Sequence, residues 1–191
     1  GYGGGLVSFS PVAAKSKNNS TADVTVNVNG DFTVAGDVLV QALQSDKSNI
    51  LADALTATFA GLSGTESNNT TDGTTKINFN GANLTADGTL QVAAVNTITI
   101  GDTEPYALKG SGYGGAVSAG ATLDNTVNKT ATINVDNASA LASAGEQYLE
   151  AGSTGNVNFK GTVKAASAAT VASIDTNNTI AVNNNINLAN K

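Results

Sequence analysis

Hydrophobic and polar residues alternate with a period of two along most of this chain. Val24, Val26 and Val28 fall on one side, with Thr25, Asn27 and Asn29 on the other. Ile77 and Phe79 alternate with Asn78 and Asn80, Ile98 and Ile100 with Thr97 and Thr99, and Ile133 and Val135 with Asn134 and Asp136. Ile180 and Val182, then Ile186 and Leu188, continue the pattern near the end. A period of two places successive side chains on opposite faces, so these segments read as half-buried strands with one wet face. Gly, Asn-Gly, Asp-Gly and Ser/Thr clusters separate them, residues suited to tight turns. Three Ala-rich stretches, 48–59, 138–149 and 164–173, compete for a helical reading because Ala has the highest helix propensity. Thr, Ser and Gly interrupt each one, which favours strands or loops, and 48–55 is the best candidate for a short helix. The run Asn69-Thr70-Thr71-Asp72-Gly73 has the composition of an exposed loop tip, and Pro105 with 110–115 marks another irregular excursion.

The strands repeat. Thr25-Val26-Asn27-Val28-Asn29-Gly30 precedes Gly36, Lys76-Ile77-Asn78-Phe79-Asn80-Gly81 precedes Gly88, and Thr132-Ile133-Asn134-Val135-Asp136-Asn137 precedes Gly145. A fainter copy is Asn156-Val157-Asn158-Phe159-Lys160-Gly161. The anchors Asn27, Asn78, Asn134 and Asn158 stand 51, 56 and 24 residues apart. If the last interval is one rung and the others two, a rung is roughly 20–28 residues, inside the range of stacked repeats. Gly1-Tyr2-Gly3-Gly4 also recurs as Gly112-Tyr113-Gly114-Gly115. The expected organisation is one all-β unit covering 1–191, a β-solenoid with imperfect rungs, with an antiparallel β-sandwich as the alternative.

Composition sharpens this picture. The chain has 191 residues, 40% hydrophobic but only 5% aromatic, so Ala and Val must build a thin core. It contains no Cys, His, Met, Trp or Arg. Imidazole bases, thiolate nucleophiles and nitrogen or sulfur metal ligands are therefore excluded. Nine Lys against fifteen acidic residues leave a net charge of −6, a poor balance for neutralising nucleic-acid phosphates. No apolar run is long enough to span a bilayer, so no membrane insertion by this segment is expected. The Gly-rich start carries neither Met nor a signal-peptide pattern, as expected of a piece of a longer protein.

The candidate chemistry is sparse. Asp31/Asp37, Asp102/Glu104 and Glu146/Glu150 show no spacing that would set two carboxyls across a cleft, and they read as solvated surface. Calcium-loop spacings are absent, and the Gly-rich runs lack the phosphate-loop pattern. No cofactor, no metal and no enzymatic activity are expected. Tyr2 and Tyr113 are candidates for stacking on a sugar, or for capping the stack. Asn27, Asn78, Asn134 and Asn158, at equivalent repeat positions, are candidates for a ladder of amide hydrogen bonds like those of stacked Asn in cross-β assemblies. Gly36, Gly88 and Gly145 are the matching corner positions.

The Val-Asn-Val-Asn-Gly unit with Ala-Gly-Asp-Val-Leu-Val-Gln-Ala (35–42), and Ile-Asn-Phe-Asn-Gly with Asp-Gly-Thr-Leu-Gln-Val (87–92), resemble bacterial filamentous-haemagglutinin-like adhesins. The stretch 115–121 leading into 128–133 is similar to their long repeat regions. The resemblance is diffuse, extends over roughly residues 20 to 190, and carries no catalytic signature. It implies a right-handed parallel β-helix and a shaft segment of a large adhesin, secreted or at the surface of a Gram-negative bacterium. It implies export past an outer-membrane transporter, and contact with host-cell surfaces or extracellular polysaccharide through the full-length protein. Rival expectations are a glycan-binding or polysaccharide-cleaving β-helix module and a self-assembling fibre subunit.

Overall fold

The computed structural model describes residues 2–5, 12–49, 51–101, 107–158 and 161–189. Nine strands make up nearly all of it: β1 (Tyr2–Gly5), β2 (Val12–Val34), β3 (Val38–Ser48), β4 (Leu51–Ala86), β5 (Leu90–Ile100), β6 (Ala107–Val135), β7 (Ala140–Ser143), β8 (Gln147–Val157) and β9 (Gly161–Leu188). No helix occurs among the described residues. Of the 48–55 segment, expected as a short helix, Ser48 ends β3 and 51–55 begin β4. Its alternation, with Ala52 and Ala54 buried and Asp53 exposed, outweighs the helix propensity of Ala.

Every strand pairing among the described residues is parallel. That sets aside the antiparallel sandwich. In one sheet β4 lies between β6 and the pair β1 and β2, β7 also pairs with β4, and β9 follows β6; in the other the order is β3-β5-β8. The chain therefore lays each pass on the one before it. Equivalent residues of successive passes stand 51 to 57 positions apart. The expected rung of 20–28 residues is thus about half the true repeat. The intervals 51 and 56 are single passes, and the interval of 24 that suggested a shorter rung joins two unrelated positions. The longer sheet therefore holds four layers, a stack roughly 15 Å deep at about 4.8 Å per layer.

The long strands bend. Phe59, Gly115 and Ala168 are skipped in the otherwise continuous pairing of β4, β6 and β9. The hydroxyl of Thr56 donates to the carbonyl of Leu62 at 2.9 Å. Six residues of straight strand would hold these atoms about 20 Å apart, so the chain reverses here. Ala52 consequently packs on Ala121 and Leu123. At the far end of β4, the register of β2 slips by one residue between Val28 and Gly30. Gly30 and Gly81 take positive φ there, 92° and 60°, which the Asn-Gly sequences permit. Loops absorb the length differences while strands keep their partners.

The main core lies between the two sheets beside the 87–89 turn. Ile77, Phe79, Leu84 and Ala86 from β4 meet Leu90, Val92 and Ala94 from β5, with Ile133 of β6 stacked on Ile77. A second cluster joins Ile98 and Ile100 to Val127. On β9 the same alternation holds, but Ile180, Val182, Ile186 and Leu188 are exposed, because among the described residues β9 pairs only with β6.

The corner glycines come together. Gly88 N–H donates to the Gly36 carbonyl at 2.9 Å, and Gly145 N–H to the Gly88 carbonyl at 3.0 Å. A Cβ on Gly88 would lie 2.8 Å from the Gly36 carbonyl carbon and 2.9 Å from the Asp37 nitrogen, closer than real contacts allow. Gly88→Ala should therefore destabilise by about 1–3 kcal/mol through forced backbone displacement, read as a lower denaturation midpoint. An unchanged midpoint would show that the corner tolerates spreading.

Candidate functional site: asparagine ladders and an apolar corner groove

Because the passes stack in register, each outward Asn meets its equivalent one layer away. Asn78 Nδ2 donates to Asn27 Oδ1, Asn134 Nδ2 to Asn78 Oδ1, and Asn187 Nδ2 to Asn134 Oδ1, each at 2.8 Å. An amide has both a donor and an acceptor, so one residue type repeated at one position can satisfy its neighbours on both sides. The fourth member is Asn187. Asn158, placed in this set by sequence, follows β8, where its backbone N–H donates to the Ile100 carbonyl at 2.8 Å.

A second ladder runs through the interior and escaped the sequence reading. Asn18 Nδ2 donates to Asn69 Oδ1 at 2.7 Å, and Asn69 Nδ2 to Asn125 Oδ1 at 2.6 Å. Asn178 is the register partner of Asn125 in β9. Asn69 and Asn125 are buried, so the segment expected as an exposed loop tip is the middle of a strand facing inward. The signal was present: each of these residues lies nine positions before a member of the outer ladder. Donors in the two ladders point in opposite directions along the stack.

Around the inner ladder the interior is polar. Ser63, Thr65, Ser67, Thr71 and Thr75 of β4 are all buried on its inward face. The Lys129 side chain has no exposed surface; its Nζ pairs with Asp46 Oδ2, which also accepts a hydrogen bond from Gln44 Nε2 at 2.7 Å.

At the turn after β6, Asp136 ties two layers together. Its carboxylate accepts the Ser139 hydroxyl at 2.6 Å, the Ala138 N–H at 3.1 Å and the Gly81 N–H at 3.0 Å. Ser139 Oγ in turn accepts the Ala82 N–H at 2.9 Å. The Ser139 hydroxyl first, and then these backbone donors, hold the Asp136 carboxyl below its ordinary value of 3.8. A lowered folded-state value means that Asp136 stabilises fully above the unfolded value and stops doing so as pH falls through the folded one. The melting temperature should drop on acidification below about pH 4, and Asp136→Asn should shrink that drop. An identical acid profile in the variant would locate the dependence elsewhere. The exposed Lys15–Glu66 pair, 2.6 Å apart, lowers the Glu66 carboxyl in the same direction but is too solvated to weigh much.

On the outside of the bend, equivalent residues of three layers line a groove of about 450 Å³: Ala60, Leu62, Ala116, Val117, Ala169 and Val171 among them. Phe59 and Tyr113 are exposed at this bend, the Phe59 ring lying over Gly115. The two Gly-Tyr-Gly-Gly copies do not stack in register. Tyr2 pairs with Leu55, whose partner in β6 is Ser111, whereas Tyr113 pairs with Ala57. Among the described residues, no three carboxylates converge as a metal-ligating group. Asp31 accepts from Asn83 at 2.7 Å and Asp37 from the Thr89 N–H at 2.7 Å, while Asp102 and Glu104 lie outside the described residues. No helix among them is long and apolar enough to cross a membrane.

Comparison with known proteins finds no matching protein family, no similar curated protein and no similar solved structure.

Proposed function

We propose that this chain is a structural shaft segment of a large secreted or cell-surface bacterial adhesin, built as a right-handed parallel β-helix. One observation carries the reading: an outer amide ladder continuous through four in-register layers, Asn27 to Asn187. Such a stack gains rigidity from repetition and commits its polar side chains to one another rather than to a ligand. Its role is mechanical, holding a distal binding surface of the full-length protein away from the cell and toward host surfaces or extracellular polysaccharide. Export would use an outer-membrane transporter, and neither nucleic acid nor a cofactor takes part.

The test uses the full-length protein. Removing one pass, residues 51–106, joins β3 to β6 in the register that β4 had, so the shortened stack still pairs. Surface-displayed protein lacking this pass should bind cells with unchanged affinity. Loss of binding by protein that is still folded and displayed would overturn the shaft role.

A second reading has its own observation, the apolar bend groove with exposed Phe59 and Tyr113. Aromatic rings beside a shallow apolar surface suit stacking on a sugar face. On a glycan array, saturable binding by the isolated chain that is lost in Tyr113→Ala would favour this glycan-binding role.

A further inference from the structure

Among the described residues, Lys129 is the one buried charge of the polar interior, and no ladder uses it. It sits on β6, and its side chain crosses the middle layer at Gly73 to reach β3 of the first layer. A Cβ on Gly73 would lie within 2.5 Å of both Lys129 Nζ and Gln44 Nε2, so only glycine leaves the passage open. At its end the ammonium meets the Asp46 carboxylate, itself little exposed, with Gln44 donating to the same oxygen.

We propose that Lys129 and Asp46 form a self-generated amide cross-link that ties the third layer to the first. Three conditions for such a reaction meet here. The amine and carboxyl are in contact, and reactants held so reach effective concentrations of about 10⁵ M or more. The site is shielded from water, which lowers the advantage of the ionised pair over the neutral amine and acid. An amide donor, Gln44 Nε2, bonds the same carboxylate oxygen, Oδ2, that the ammonium meets and so fixes the carboxyl against the amine.

The atoms balance without a co-reactant. The ammonium passes one proton to the carboxylate, giving a free amine and a carboxylic acid. The nitrogen lone pair attacks Asp46 Cγ and forms the new C–N bond. A second proton moves from nitrogen to the hydroxyl, the C–O bond breaks, and water leaves. The third hydrogen remains as the amide N–H. No atom is oxidised or reduced. Gln44 and Gly73 are positioning residues: one holds the carboxyl, the other leaves room for the amine.

The link would close a loop between residues 83 positions apart, and it is independent of which role the surface plays. The test is the intact mass of the purified wild-type chain. The expected result is a mass about 18 Da below that of the sequence, one water lost. Protease digestion should then release a branched peptide joining the segments around Asp46 and Lys129. Asp46→Ala and Lys129→Met should restore the full mass, and Gly73→Ala should do so with both reacting groups still present. A wild-type chain of full mass would overturn the proposal. So would a chain lighter by one water that yields only linear peptides, since that marks a succinimide at Asp46-Lys47.

Discussion

Phe79→Ala should remove about 3–5 kcal/mol of stability and lower the melting temperature by roughly 10 °C. Among the described residues Phe79 is the largest fully buried side chain, with no exposed surface. It stands between Val28 and Val135 in the layers on either side and packs into the cluster that holds Leu90 and Val92 of the opposite sheet. Few other large side chains are present to fill the space it would leave, because the surrounding core is mostly Ala and Val. The lost transfer energy therefore adds to a cavity that cannot collapse. Phe59→Ala is the matched control. Its ring is 68% exposed, so the change should cost less than about 1 kcal/mol. Chemical denaturation followed by circular dichroism measures both. Equal midpoints for the two variants would mean that the core does not lie where Phe79 is placed.

Asn69→Ala should cost about 2–4 kcal/mol, whereas Asn78→Ala should cost no more than about 1 kcal/mol. Both residues are middle members of an amide ladder, each with one bond given and one received. They differ in what remains after truncation. Around Asn78 the partners are partly wet, and water replaces the lost bonds. Asn69 and Asn125 are buried, so Asn125 loses its donor where solvent does not reach, and the half-buried Asn18 loses its acceptor. An unpaired buried polar group costs more than the bond it lost. Recovery is expected as well: Asn18→Val, Asn69→Val and Asn125→Val together should restore most of the stability, since no amide of the three is left half-paired. Comparable denaturation midpoints for Asn69→Ala and Asn78→Ala would contradict a buried inner ladder.

The two ladders also show where sequence reasoning reached and where it stopped. Asn27, Asn78 and Asn134 were legible as a set because each sits between two hydrophobic residues in an alternating strand. Asn69 was not, since Asn69-Thr70-Thr71-Asp72-Gly73 offers no hydrophobic face and has the composition of a turn. Its burial is acceptable only because Asn18 and Asn125 come into register beside it, and those partners lie 51 and 56 residues away. Local pattern cannot reveal a partner at that distance unless the repeat length is already known. The mistaken rung of 20–28 residues hid it, and Asn158 took the place that belongs to Asn187.

From the sequence alone follow the strands, their inward and outward faces, the glycine corners at Gly36, Gly88 and Gly145, and the exclusion of imidazole and thiol chemistry. These depend on side-chain period, backbone freedom and residue inventory, all of which are properties of neighbouring positions. The tertiary structure decided the length of a pass, the parallel direction of the pairings among the described residues, and which polar residues turn inward. Those depend on free energy shared between layers. An inward Asn or Lys is unfavourable by itself and becomes tolerable when the adjacent layer supplies its partner, as Asn125 does for Asn69 and Asp46 does for Lys129 across the gap at Gly73.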